Sequence, residues 1–209
     1  MLHDSDSAFT PNIRDLFGTS PASQKLAQFL VSLSANQGKR HVEPEVHIYS
    51  DVVYFNYYPL GLSLSYTPHD GYKPKRSDAM QDLDQELLSL SGIDVYNKIE
   101  AIQEGKKTYH AYPLLPLVLT LSPGEPNGAE PSALEVTSKI TGKEFLECLG
   151  EPERKGGGGR AGGPGIWCEW SKHGIMVEFG GPEAKGPNAW ETGKDAVWQC
   201  ITLFQPKDI

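Results

Sequence analysis

The chain is short of cationic charge, of cysteine and of long apolar runs, and each shortage narrows what it can be. Its 19 Lys and Arg face 27 Asp and Glu, for a net charge of -8. Binding to a phosphate backbone needs clustered cations, so nucleic acid is not an expected partner. The longest apolar run, 114–121, is interrupted by Pro116 and Thr120 and falls well below the roughly 18 residues of a membrane helix; no membrane is expected either. The start of the chain, Met1-Leu2-His3-Asp4-Ser5-Asp6, has neither the basic nor the apolar segment of a secretory signal, and no Asn-x-Ser/Thr sequon occurs, which leads to the expectation of a cytoplasmic protein. The three cysteines, Cys148, Cys168 and Cys200, are odd in number and sit in apolar patterns, so they read as reduced and buried. A Cys168–Cys200 bridge would need the two on adjacent strands.

Motifs of local chemistry are missing as well. The sequence contains no H-E-x-x-H, G-x-S-x-G, C-x-x-C or Walker A pattern, so no catalytic residue, metal or cofactor is expected on sequence grounds. Catalytic groups that meet only in the fold are not excluded by this.

What is present is loop-forming glycine and proline, 22 and 16 residues, between short patterned segments. Residues 1–18 are polar and aperiodic and read as a flexible arm. Ser20-Pro21 offers a helix start, and Leu26, Phe29, Leu30 and Leu33 follow on one helical face until Asn36-Gln37-Gly38. Val53, Phe55 and Tyr57 alternate with Tyr54, Asn56 and Tyr58; Tyr58-Pro59-Leu60-Gly61 suits a turn; Leu62, Leu64 and Tyr66 alternate with serines. This predicts a hairpin. From Ser77, the spacing of Met80, Leu83, Leu87 and Leu90, closed by Gly92, predicts a second helix. Seven acids between Asp78 and Glu104, against Lys98 alone, read as a solvated face or a docking surface. Residues 93–96 and 109–121 are apolar and extended.

Residues 122–133 are the best linker in the chain, dividing a first helix-plus-sheet unit (19–121) from a second (134–209), which can still pack as one domain. In the second, Thr141-Gly142-Lys143-Glu144 is a capping box, Phe145, Cys148 and Leu149 form a short apolar face, and Gly150 and Pro152 stop the helix. Segments 166–170 and 175–179 predict another hairpin, and 197–204 a last strand. The fold class is α+β, with antiparallel sheet and a few short helices. Superposing Gly61 on Gly174, an offset of 113, also matches Val53/Ile166, Tyr54/Trp167, Tyr57/Trp170, Leu62/Ile175, Leu64/Val177 and Tyr66/Phe179. Tandem duplication and the generic likeness of two amphipathic hairpins both account for these matches. The run Phe145-Leu146-Glu147-Cys148-Leu149-Gly150-Glu151-Pro152, followed by Gly174-Ile175-Met176-Val177-Glu178-Phe179, resembles the repeat of β-lactamase-inhibitor-like proteins. That resemblance implies a saddle of antiparallel sheet backed by short helices, in a group several of whose members bind other proteins.

Three constellations bear on function. Around the glycine run 156–159, Arg154, Lys155 and Arg160 could hold an anion; yet a dinucleotide fingerprint must open a helix, and here a strand follows, so a flexible connector is the plainer reading. His41, Glu43, Glu45 and His47 alternate, but donors two apart on a strand diverge by about 7 Å, too far for one ion. Tyr54, Tyr58 and Trp167 lie opposite the apolar faces of their hairpins, as residues of binding surfaces do. The reading that follows is a non-catalytic interaction module binding an unidentified protein partner through this aromatic surface. The alternative is a small-molecule-binding protein or enzyme whose glycine loop closes over an anionic ligand. A purely structural subunit is a third reading, and the sequence is silent on oligomeric state.

Overall fold

Ten strands and three short helices alternate along the chain in a computed structural model that describes residues 12–38, 42–97, 107–121, 133–159 and 165–207. Helix α1 (Gln24–Asn36) buries Leu26, Phe29 and Leu33. Its cap is Ser23, whose Oγ accepts from Leu26 N at 3.2 Å, three residues beyond the expected Ser20. Strands β1 (Glu45–Ile48), β2 (Val53–Tyr57), β3 (Leu62–Pro68) and β4 (Leu88–Tyr96) follow. A two-stranded sheet, β5 (Leu117–Thr120) with β6 (Ala133–Val136), comes next. Then come α2 (Gly142–Leu149), β7 (Arg154–Gly156), β8 (Trp167–Trp170), β9 (Ile175–Phe179), the single turn α3 (Ala189–Thr192) and β10 (Trp198–Phe204).

The fold class is as expected: α+β, with mainly antiparallel sheet. Eight strands form one sheet in the order β1-β2-β3-β4-β10-β9-β8-β7. The order reads alike from either edge, and the two halves of the chain meet at the β4–β10 pair. One sheet therefore crosses both halves. Segment 122–133, the expected linker, lies in the chain between β5 and β6, which pair from Leu117↔Val136 to Thr120↔Ala133. Residues 122–132 lie outside the described ones.

Both hairpins form where alternation places them, and each turns through a one-turn 3-10 helix ending on a left-handed glycine, Gly61 (φ 58°) and Gly174 (φ 61°). The capping box of α2 forms too: Glu144 Oε2 accepts from Thr141 N at 2.8 Å, and with Thr141 Oγ1 this holds the Glu144 carboxyl below its usual range. The buried face of α2 packs on the sheet through Phe145, 6.2 Å from Trp170 and 5.9 Å from Phe179 between ring centres.

The expected helix after Ser77 is not there. Met80–Asp82 and Gln85–Leu87 are single 3-10 turns, and the chain then enters β4. Leu88 and Leu90 face the core, a register shift follows at Ser65/Tyr66 opposite, and Ile93 and Val95 then take over the core face. A one-residue bulge changes which parity points inward. That break hid the alternation, while Leu83, Leu87 and Leu90 mimicked a helical spacing. The acidic run is likewise not one solvated face. Asp78 and Asp82 accept backbone bonds from Lys75 and Ala79, Asp94 is half-buried in β4, and Glu100 and Glu104 lie outside the described residues.

Of the expected arm, 1–11 lie outside the described residues, but 12–18 are packed. Ile13 and Leu16 are buried on a 3-10 turn, Arg14 Nη2 donates to His173 O at 2.7 Å, and Gly18 N donates to Leu90 O. Cys148 is exposed, contrary to expectation. Cys168 and Cys200 are buried but separated by β9 and on opposite sheet faces, which rules out the adjacency a bridge needs.

Candidate functional site

One face of the large sheet is sealed. Val53, Phe55, Leu62, Leu64, Ile93, Val95, Ile175, Val177, Ile201 and Leu203 are at most 2% exposed. Strand geometry sends the intervening residues to the other face, where Tyr54, Ser65, Asp94, Tyr96, Trp167, Met176, Glu178, Thr202 and Phe204 are only half-buried. This open face is the candidate site.

The register strings one residue from each strand across its middle: Glu45, Asn56, Ser63, Asp94, Thr202, Met176, Glu169 and Arg154. All but Met176 are polar, and most are bonded along the row. Ser63 Oγ donates to Asn56 Oδ1 at 2.9 Å, Thr202 Oγ1 to Asp94 Oδ1 at 2.7 Å, and Arg154 Nη1 to Glu169 Oε2 at 3.1 Å. Burial pushes the Asp94 carboxyl up to about 6, with Glu178 adding to the rise and the Thr202 hydroxyl opposing it. The Cys200 thiol, beside both carboxylates, is pushed up by the same desolvation, so it is a poor nucleophile there.

An aromatic cluster closes the end of the face near β2 and the start of the return from β4. Tyr109 stacks on Tyr96 with ring centres 3.7 Å apart and planes 2° off parallel, lies 4.5 Å from Tyr58, and donates its hydroxyl to Asn56 Oδ1 at 2.6 Å. Lys107 pairs with Glu45 and stands 6.0 Å from the Tyr58 ring. Asn56 and Ser63 are consequently buried, at 6% and 2% exposure, although they are on the open face. At the opposite end, near Phe204, small residues leave a shallow depression of about 370 Å³ lined by Thr67, Ser89, Leu90, Ser91, Phe204, Gln205 and Lys207.

Of the residues singled out from sequence, Tyr54 and Trp167 do share the open face. They stand on β2 and β8, five strand spacings apart in the sheet order, or ~24 Å at ~4.8 Å per spacing, with the polar row between them. Tyr58 is in the turn at the end of β2, against Tyr109. Arg154 and Lys155 are neighbours on edge strand β7 and point to opposite faces. Arg154 is 5.9 Å from the Trp167 ring on the open side, and Lys155 is 5.8 Å from the Trp190 ring on the other. Arg160 lies outside the described residues. The two described cations therefore do not converge on one anion. Nor is the glycine run a loose connector. Gly156 pairs in β7, and a Cβ on Gly158 would come within 2.6 Å of Ile166 Cγ2 and 3.0 Å of Ala189 Cβ.

His41 lies outside the described residues, and Glu43 is exposed. Glu45 and His47 share a face, 3.0 Å apart, but Glu45 is held by Lys107, whose hydrogen bond lowers its carboxyl pKa most. Among the described residues no group of three or more His, Cys, Asp or Glu is placed to hold a metal ion, and no helix is long and apolar enough to cross a membrane.

Sequence reasoning missed Asp94, Tyr96, Tyr109 and Phe204 as members of this face. Alternation in 93–96 pointed to the first two. Nothing local placed Tyr109 on Tyr96. No protein-family model, curated protein or solved structure was found to match the chain.

Proposed function

We propose that this is a non-catalytic interaction module that binds a protein partner through the open face of its eight-stranded sheet. The observation that carries the reading is the contrast between the two faces. One is sealed at 0–2% exposure, while the other leaves Tyr54, Tyr96, Trp167, Met176 and Phe204 half-accessible around a hydrogen-bonded polar row. Tyr, Trp, Phe and Met are the residue types that interfaces favour. A bonded row in a rigid sheet offers them at low entropic cost. Glu45, Asp94, Glu169 and Glu178 lie on the same face, which makes a phosphate backbone a poor occupant.

Two further points support the reading. The matching strand order and turn geometry of the halves favour their being copies of one unit. The arrangement is also in keeping with the resemblance to β-lactamase-inhibitor-like proteins, where binding proteins is a recurring use. A cytoplasmic location accords with the separation of Cys168 from Cys200.

The test is affinity capture with the full chain and with a Tyr54→Ala/Trp167→Ala variant. The variant is expected to keep a thermal midpoint close to that of the parent and to lose the captured partner. Identical captured sets would remove the open face from consideration, and an unfolded variant would show the rings to be core.

A further inference from the structure

The two ends of the open face are equivalent in backbone and differ in what covers them. Tyr96 N donates to Gly61 O at 2.9 Å and Phe204 N to Gly174 O at 3.0 Å; His110 N donates to Tyr58 O at 2.9 Å and Lys207 N to Ser171 O at 3.0 Å. Tyr96 and Phe204 thus occupy the same place in their halves. Over Tyr96 lies the flat ring of Tyr109, at 3.7 Å. Over Phe204 stands the ammonium of Lys207, 5.2 Å from the ring centre, and among the described residues no aromatic ring pairs with it. Beside it is the depression floored by the hydroxyl residues Thr67, Ser89 and Ser91. The cross-strand partner of Phe204 is Gly92, which places no side chain beside the ring.

The charge of this spot runs against that of the chain. In a protein of net charge -8, no carboxylate among the described residues lines the depression. Among the described residues none forms an ion pair with Lys207. Lys207 is exposed on a flexible stem and can swing aside without breaking a bonded partner.

We propose that the Phe204 depression receives an aromatic side chain of the partner protein, stacked on Phe204 as Tyr109 is on Tyr96, while an acidic residue next to it in the partner meets Lys207. The occupant is an extended partner segment with an aromatic residue flanked by acids. This rests on the open-face reading above and narrows it to one end of the face.

The test titrates the 15N-labelled full chain with N-acetyl-Asp-Tyr-Glu-amide, followed by amide shifts. Perturbations are expected to centre on Thr67, Ser89, Ser91, Phe204 and Lys207. Replacing the peptide tyrosine by alanine should weaken binding about tenfold, and Lys-Tyr-Lys in place of Asp-Tyr-Glu about threefold or more. Lys207→Gln should reduce the preference for acid without moving the thermal midpoint, and Phe204→Leu should abolish the tyrosine dependence. Equal binding of the tyrosine and alanine peptides, shifts centred elsewhere, or no shifts at millimolar peptide would overturn the proposal. Because the three peptides are compared on the unaltered protein, the result does not depend on any variant folding. Partner capture that survives Phe204→Leu but fails with Tyr54→Ala/Trp167→Ala would sink this site alone. Capture indifferent to all of these substitutions would sink the open-face reading.

Discussion

Thr202 Oγ1 donates to Asp94 Oδ1 at 2.7 Å across the middle of the large sheet, where the two residues are direct cross-strand partners. They are also each other's counterparts. Leu62 pairs with Val95 and Ile175 with Leu203; carrying the Leu62/Ile175 equivalence through these registers makes Asp94 the analogue of Thr202. An approximate two-fold axis therefore passes through this bond. The sheet's centre has an acid on one side and a hydroxyl on the other, so the symmetric position avoids two facing carboxylates.

Asp94 should make stability fall as the pH rises. Its carboxyl is raised to about 6 in the folded chain from an ordinary 3.8, by burial first and Glu178 second. Between those values the folded state holds the proton and the unfolded state has lost it, so each step up in pH favours unfolding until the folded carboxyl has ionised. From pH 5 to 7.5 the loss is on the order of 1 kcal/mol. Urea denaturation of the parent and Asp94→Asn should show the parent losing ground to the variant over that window. Glu45 and Glu144, whose pKa values are lowered, act with the opposite sign in both proteins and cancel in the difference. A gap independent of pH would contradict the burial of this carboxylate.

Gly61→Ala and Gly174→Ala should each cost about 2 kcal/mol or more. Both residues have positive φ, and a Cβ at either would collide with backbone, His110 O in one case and Phe204 O in the other. Gly71→Ala is the control. Its φ is also positive, at 77°, but nothing lies within 4 Å of the added carbon, so only the left-handed strain of about 1 kcal/mol remains. Denaturation midpoints in the order Gly71→Ala above both of the others would confirm the close approach.

The glycine run can be tested the same way. Gly158→Ala meets Ile166 and Ala189 at a positive φ of 83°, whereas Gly159→Ala meets nothing within 4 Å. The first should lower the thermal midpoint by several degrees for a loss of about 2 kcal/mol, and the second should leave it nearly unchanged. Equal behaviour would restore the loose connector.

Tyr109→Phe removes the hydroxyl that donates to Asn56 Oδ1 and should cost about 1 kcal/mol. Tyr109→Ala also uncovers Tyr96, Asn56 and Ser63 and should cost about 2–3 kcal/mol. If the covering ring behaves as a built-in counterpart of a partner's side chain, Tyr109→Ala should in addition open a second site for the acidic tyrosine peptide, seen as new amide shifts at Tyr96 and Asn56.

Where the code was local, the chain could be read directly. Alternation in 53–66 and 166–179 specified both hairpins and their sealed side, because period-two burial needs only the neighbouring strand. Thr141 and Glu144 marked the start of α2, since a capping box closes within one turn. The α+β class and the aromatic side of each ribbon followed. What a pattern within a dozen residues cannot carry was settled by the tertiary structure. The bulge at Ser91 changed the parity of β4 and turned an apparent helix into a strand. The β4–β10 pairing joined residues 108 apart, Asp94 and Thr202, into one sheet, and Tyr109 came to stack on Tyr96 with no local pattern to place it there. These are long-range contacts whose partners compete on packing and desolvation over the whole core, so their outcome depends on every strand being in place at once.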